Sequence, residues 1–117
     1  MFRTELLNRT KKFTLDVINF VNASPKNPTV ELISNKLLNS ASAVGAKYRI
    51  AVKFRSKIDF IKKIREIQQD IEESAYWLEL INELPFKYPD QIHSLLEESE
   101  ELIAQFANVE KNAKKSN

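Results

Sequence analysis

Apolar residues recur at alternating spacings of three and four through four stretches of the chain. The row is unbroken in the third stretch, where it comprises Phe60, Ile64, Ile67, Ile71, Ser74, Leu78 and Ile81. Comparable rows lie within residues 6–20, 33–51 and 92–109. This spacing places apolar side chains on one face of an α-helix. The pattern therefore predicts four amphipathic helices.

Proline and capping residues separate these helices. Residues 24–28 and 84–90 each contain two prolines, which interrupt helices. Asn27 followed by Pro28 is typical of an N-cap with proline at the first helical position. A weaker break falls near Ser56, which fits the N-cap of a third helix. The predicted helical segments are residues 4–23, 27–54, 57–84 and 89–112.

Four amphipathic helices with short connections predict an all-α fold, an antiparallel up-down four-helix bundle. The second and third helices are the longest, so we expect them to form a tall central hairpin. The chain has 117 residues, which suits one domain. We expect residues 1–112 to form that domain and residues 113–117 to be a polar tail that frays into solvent.

The composition argues against catalysis. The chain has no cysteine and a single histidine, His93, so thiol chemistry, ordinary triads and multi-histidine metal sites are not expected. Gly45 is the only glycine, which leaves no glycine-rich phosphate loop. We therefore expect no enzyme activity, no cofactor and no metal. Without a long apolar stretch or a signal-peptide pattern, the sequence predicts a cytoplasmic protein that does not associate with membranes.

Charge is unevenly distributed along the chain, although the net charge is only +2. Residues 66–101 contain eleven acids and one base, a net charge of −10. Residues 47–65 contain eight bases and one acid, a net charge of +7. In an antiparallel hairpin this second block caps the bundle at the end where helices two and three meet. Its bases are our candidates for nucleic-acid contact: Lys47, Arg49, Lys53, Arg55, Lys57, Lys62, Lys63 and Arg65.

Two functional interpretations of this basic block stay open. In the first, the bases bind the phosphate backbone of RNA or DNA, with no motif that indicates base-specific recognition. In the second, the protein is an interaction scaffold whose bases pair with acids of another subunit or of a protein partner. The acidic residues Glu97, Glu98, Glu100 and Glu101 offer a complementary surface for such pairing.

A run of small residues lies in the middle of the second helix, at positions 40–46. Glycine in a helix costs about 1 kcal/mol relative to alanine, so Gly45 predicts close approach of another helix, within the bundle or across a subunit contact. Aromatic residues widen the apolar face of the third helix beyond one seam. We take Gly45, Tyr48, Tyr76 and Trp77 as candidates for helix packing or an oligomer interface.

Segments 40–49, 56–60 and 72–79 resemble the four-helix-bundle proteins of the 23S rRNA intervening sequences, the bacterial S23 ribosomal protein family. Segments 13–18 and 96–102 are similar to the first and fourth helices of that family. The sequence departs from the family at Ala43 and Lys47, where serine and asparagine are common. Lys47 adds a further positive charge.

This resemblance implies a ring-shaped homopentamer. Members of the family are similar to the accessory variability determinant of diversity-generating retroelements, a basic pentameric bundle that binds nucleic acid and a reverse transcriptase. The resemblance thus implies an oligomeric protein whose expected partners are RNA or DNA and a protein partner.

Overall fold

In the computed structural model, residues 2–116 are described and form four α-helices. The helices are α1 (Phe2–Ala23), α2 (Pro28–Ala51), α3 (Lys57–Glu83) and α4 (Gln91–Lys115). Residues 2–116 contain no β-strand. The predicted all-α fold is therefore confirmed.

Side-chain caps fix the starts of the two central helices. The Asn27 side chain accepts hydrogen bonds from the backbone N–H groups of Thr29, at 2.9 Å, and Val30, at 3.4 Å. The Ser56 hydroxyl accepts a hydrogen bond from the backbone N–H of Asp59 at 3.2 Å. These contacts satisfy N–H groups that have no partner inside the helix. Both predicted caps are confirmed.

The helices pack as a ring in chain order. Each of α1 and α3 packs against both α2 and α4, whereas the backbones of the two diagonal pairs stay more than 8 Å apart within the described residues. The connections are short, so consecutive helices run antiparallel. The resulting bundle is elongated, with principal extents of 50 × 21 × 19 Å.

The predicted apolar rows form the core of the bundle. Of the row in α3, only Phe60 is partly exposed, and Val109 is the corresponding exception in α4. A few small hydroxyl groups interrupt the apolar core. The Ser74 hydroxyl lies 2.8 Å from that of Ser40 and joins α3 to α2. Pairing of this kind satisfies polar groups that burial removes from water.

The fourth helix is longer than the sequence predicts. It continues through Lys115, so the predicted boundary at residue 112 falls inside a helix. Lys57 accounts for this extension because its ammonium group donates hydrogen bonds to the carbonyls of Lys114, at 3.1 Å, and Ser116. These carbonyls lack partners within the helix. Met1 and Asn117, the first residue of the predicted domain and the last of the predicted tail, lie outside the described residues.

Candidate nucleic-acid interface

The topology brings three remote segments of the chain to one end of the bundle. The turn between α2 and α3, the start of α1 and the end of α4 meet there. We call residues 2–12, 40–70 and 104–116 the basic half. It contains fifteen of the eighteen lysines and arginines and five of the sixteen acids, a net charge of +10. Residues 13–39 and 71–103, the acidic half, have a net charge of −8.

Two of the eight candidate bases, Lys47 of α2 and Lys63 of α3, form ion pairs with acids of α3. The Lys47 ammonium lies 2.9 Å from an Asp70 carboxylate oxygen and 3.6 Å from Glu66. Lys63 lies 3.1 Å from Glu66. The hydrogen bond to Asp70 raises the pKa of Lys47, and the hydrogen bond from Lys63 lowers the pKa of Glu66. The charges of Lys47 and Lys63 are therefore partly neutralised within the bundle.

Glu110 of α4 holds another candidate base in place. Its carboxylate accepts hydrogen bonds from Arg65, at 3.0 Å, and from the Gln68 amide, at 2.7 Å. Lys114 forms a further ion pair with it at 2.7 Å. The hydrogen bonds from Lys114 and Gln68 lower the pKa of Glu110 to about 2. Arg65 is thus fixed by an acid, as Lys57 is fixed by the carbonyls at the end of α4.

The other four candidate bases are exposed, and none of them forms an ion pair with an acid of residues 2–116. They lie on the last turn of α2, on the loop between α2 and α3, and on the first turns of α3. Their charges are available to an external anion. These four residues are Arg49, Lys53, Arg55 and Lys62.

Sequence reasoning missed bases that reach the same end from the chain termini. Arg3 lies in the first turn of α1, and Lys111 and Lys115 lie in the last turns of α4. All three side chains are exposed. The polar composition of the C-terminal segment was the available signal, but only the added helical turn places Lys115 in the basic half.

Gly45 and Tyr48 are packing residues inside the bundle. A Cβ at Gly45 would lie 3.4 Å from the Thr10 hydroxyl and 3.5 Å from the Thr10 carbonyl, so the glycine lets α1 approach α2 closely. Tyr48 is buried, and its ring packs edge-on against Phe106 with 5.1 Å between centroids. Of the two predicted alternatives, contact within the bundle accounts for both residues.

Tyr76 and Trp77 lie on the surface of α3 in the acidic half. The Tyr76 side chain is 56% exposed, and its ring packs edge-on against Trp77 at 5.0 Å. Trp77 is half-buried, and the Lys36 ammonium lies 5.6 Å from the centre of its ring. The structure thus separates this pair from Gly45 and Tyr48, and an oligomer interface at Tyr76 and Trp77 stays a prediction.

The acidic segment 97–101 is partly engaged within the chain. The Arg9 guanidinium of α1 donates hydrogen bonds to both carboxylate oxygens of Glu98, at 2.7 and 2.8 Å, and to Glu101 at 2.5 Å. The hydrogen bond to Glu98 raises the pKa of Arg9. Arg9 was not among the sequence candidates. Glu97 and Glu100 stay exposed, without an ion pair to residues 2–116.

A groove of about 530 Å³ lies between α1 and α2. Leu7, Leu15 and Ala46 contribute apolar walls, while Lys11 and Arg49 contribute positive charge. Leu15 is 51% exposed. The groove therefore supplies an apolar surface next to the basic half.

Two further properties bear on the kind of site this chain carries. Within residues 2–116, no three histidine, cysteine or acidic side chains cluster as metal ligands would. None of the helices described combines the length and apolar character that crossing a bilayer requires.

Comparison with known proteins gives a structural relative. No protein-family model matches the chain, and no curated protein matches it. A crystal structure of a protein of unknown function from the S23 ribosomal protein family of Bacteroides thetaiotaomicron superposes with a TM-score of 0.84. The two chains are 23% identical, and the alignment covers 95% of this chain and 99% of the other. The protein therefore shares the four-helix-bundle fold of that S23 family structure.

Proposed function

We propose that the protein is a non-enzymatic, oligomeric helical bundle that binds the backbone of RNA through its basic half. The observation that carries this proposal is the segregation of charge, with a net charge of +10 in one half of the molecule. Four exposed bases in that half lack an acidic partner within residues 2–116. Such bases neutralise phosphates and release the counterions that surround a nucleic acid.

Backbone contact fits the surface better than base-specific recognition. Within the described part of the chain, the basic half has no dimeric recognition-helix motif and no β-sheet with base-stacking aromatic residues. Flexible lysines and arginines on a helical end suit phosphates at variable spacing. The sequence resemblance to proteins of rRNA intervening sequences favours rRNA as the partner, and DNA is the alternative that the experiment distinguishes.

The oligomer forms the second part of the proposal. The sequence resemblance favours a homopentamer similar to the accessory variability determinant. The groove between α1 and α2, with exposed Leu15, offers an apolar surface that a subunit contact would cover. This groove also favours the alternative function, an interaction scaffold in which basic and acidic surfaces pair between subunits or with a protein partner.

Fluorescence anisotropy with a structured rRNA fragment and a matched DNA duplex tests the proposal. The decisive variant replaces Arg49, Lys53 and Lys62 with glutamate. Its control replaces Lys26, Lys36 and Lys87, the three bases of the acidic half, and so changes net charge by the same amount. We expect the first variant to lose about a hundredfold or more in affinity at low salt, and the control to lose much less.

Sedimentation of the same variants distinguishes the two functions. Backbone binding predicts that both triple variants keep the oligomeric mass and helicity of the native protein. The scaffold function predicts that the variant at Arg49, Lys53 and Lys62 changes mass while affinity for RNA is weak from the start. Equal loss of affinity in the two triple variants contradicts a site in the basic half.

A further inference from the structure

An apolar hollow lies within the basic half, between the start of α3 and the end of α4. Its volume is about 370 Å³, and its floor consists of Ile58 and Ile61. Three cations form its rim: Lys62, Arg65 and Lys114. Ile58 is 77% exposed, more than any other exposed large apolar side chain described. Neither core packing nor phosphate binding explains this exposure.

Two of the three rim cations, Arg65 and Lys114, are held in position by Glu110. Glu110 lies 3.0 Å from Arg65 and 2.7 Å from Lys114, so both side chains are anchored from below. Lys57 binds the carbonyls at the end of α4 and thereby fixes the helix that carries Lys114. With Lys62 unpaired, the three cations exceed the one carboxylate by two charges. The hollow therefore combines a positive rim with an apolar floor.

An apolar floor and a cationic rim match one class of ligand. The phosphates of a continuous duplex meet the protein first, so these two isoleucines add nothing to duplex binding. An unpaired nucleotide presents an apolar base face together with its phosphate. Proteins stack such bases mostly on aromatic rings, and also on other apolar side chains.

We infer that this hollow binds an unpaired nucleotide of a single-stranded or looped nucleic acid. The base packs against Ile58 and Ile61, and the flanking phosphates lie near Lys62, Arg65 and Lys114. The inference rests on the proposed function and names its substrate class. It predicts that the protein prefers unpaired strands to duplex.

The test compares Ile58→Ser with Leu32→Ser. Both residues are exposed aliphatic side chains in α-helices, at 77% and 60%, but Leu32 lies in the acidic half. The probes are a mixed-sequence RNA strand of about 12 nucleotides and the duplex formed with its complement. We expect Ile58→Ser to weaken single-strand binding about fivefold and leave duplex binding unchanged. The salt dependence stays the same because no charge is removed.

The alternatives give different results. The inference is overturned if the native protein binds the strand and the duplex with equal affinity. It is also overturned if Ile58→Ser and Leu32→Ser bind the strand with equal affinity. Either result leaves backbone binding intact. Native protein that binds neither probe at low salt overturns the proposed function as well. Vesicles containing phosphatidylserine serve as a third probe. If Ile58→Ser weakens binding to vesicles but not binding to the single strand, the hollow binds a membrane surface and the inference is overturned.

Discussion

The two halves of the bundle share one kind of core but differ in surface charge. In α3, Ile64 and Ile67 are buried in the basic half, as Leu78 and Ile81 are in the acidic half. The surfaces nevertheless have net charges of +10 and −8. Gathering like charges at one end opposes folding through mutual repulsion. The core therefore explains the fold, whereas the segregation of charge calls for an explanation in binding.

The basic half itself contains two populations of bases. Lys47 and Lys63 lie against acids of α3, whereas Arg49 and Lys53 lie exposed without an ion pair to residues 2–116. The first population contributes to the bundle, and the second is free to bind. A run of bases in the sequence thus divides into two surfaces once the helices pack.

Salt dependence gives the largest effect that separates these populations. If only the four free bases contact phosphates, affinity for single-stranded RNA falls about fiftyfold between about 50 and 200 mM salt. Contact by all eight candidates gives a fall of about two-thousandfold. Anisotropy titrations at several salt concentrations measure the slope. A fall of less than about tenfold contradicts binding by the four free bases.

Charge reversal at single positions sharpens the same division. Lys47→Glu removes the 2.9 Å pair with Asp70 and places a carboxylate beside it, so we expect the free energy of unfolding to fall by about 2 kcal/mol. Arg49→Glu, two residues later, should change it by less than about 0.5 kcal/mol. Urea denaturation followed by circular dichroism compares them. Equal effects contradict a structural role for Lys47.

The Glu110 cluster predicts a dependence of stability on pH. The folded pKa of about 2 lies below the ordinary value of 4.5, so deprotonated Glu110 stabilises the fold. This contribution is complete above the ordinary pKa and is lost as pH falls toward 2. Because Arg65 and Lys114 are more than half exposed, water screens the contribution to about 1–2 kcal/mol. Denaturation midpoints between about pH 6 and pH 2 measure it.

Glu110→Gln provides the control for that titration. The variant removes the carboxylate but keeps an amide near Gln68, so its stability at neutral pH should be lower than that of the native protein. The two proteins should converge in acid, where native Glu110 is protonated. If the stabilities of the native protein and Glu110→Gln differ by a constant amount at every pH, other carboxylates cause the acid dependence.

The smallest effect concerns the helix contact at Gly45. In Gly45→Ala the new Cβ meets Thr10 at 3.4 Å, close to ordinary contact, while alanine favours the helix. We expect stabilisation of up to about 1 kcal/mol, measured by thermal unfolding. Gly45→Leu should instead destabilise, because its longer side chain has no room against α1. If Gly45→Ala instead destabilises the protein, α1 cannot shift at Thr10 to accommodate the new Cβ.

The core was predictable from the sequence because helical spacing is a local property. Rows read from spacing alone proved buried, with Phe60 and Val109 as half-buried exceptions. The caps at Asn27 and Ser56 were predictable for the same reason, since each bonds within three residues.

The candidate site was only partly predictable, because it depends on packing. Arg3 and Lys115 stand at opposite ends of the sequence, and only the bundle places both beside the α2–α3 turn. The pairing of Lys47 with Asp70 depends on the register between α2 and α3, which spacing within one helix does not specify. Whether a base is free or paired is therefore a property of the fold.

The separation of charge along a body 50 Å long makes the molecule a strong electric dipole. Near a polyanion, such a rod turns so that its positive pole leads and its negative pole points away. It would stand on its end, with a footprint set by the 21 × 19 Å cross-section. At 3.4 Å per base pair this footprint spans about six base pairs. Neighbouring molecules on one nucleic acid would then expose their acidic halves to the solvent.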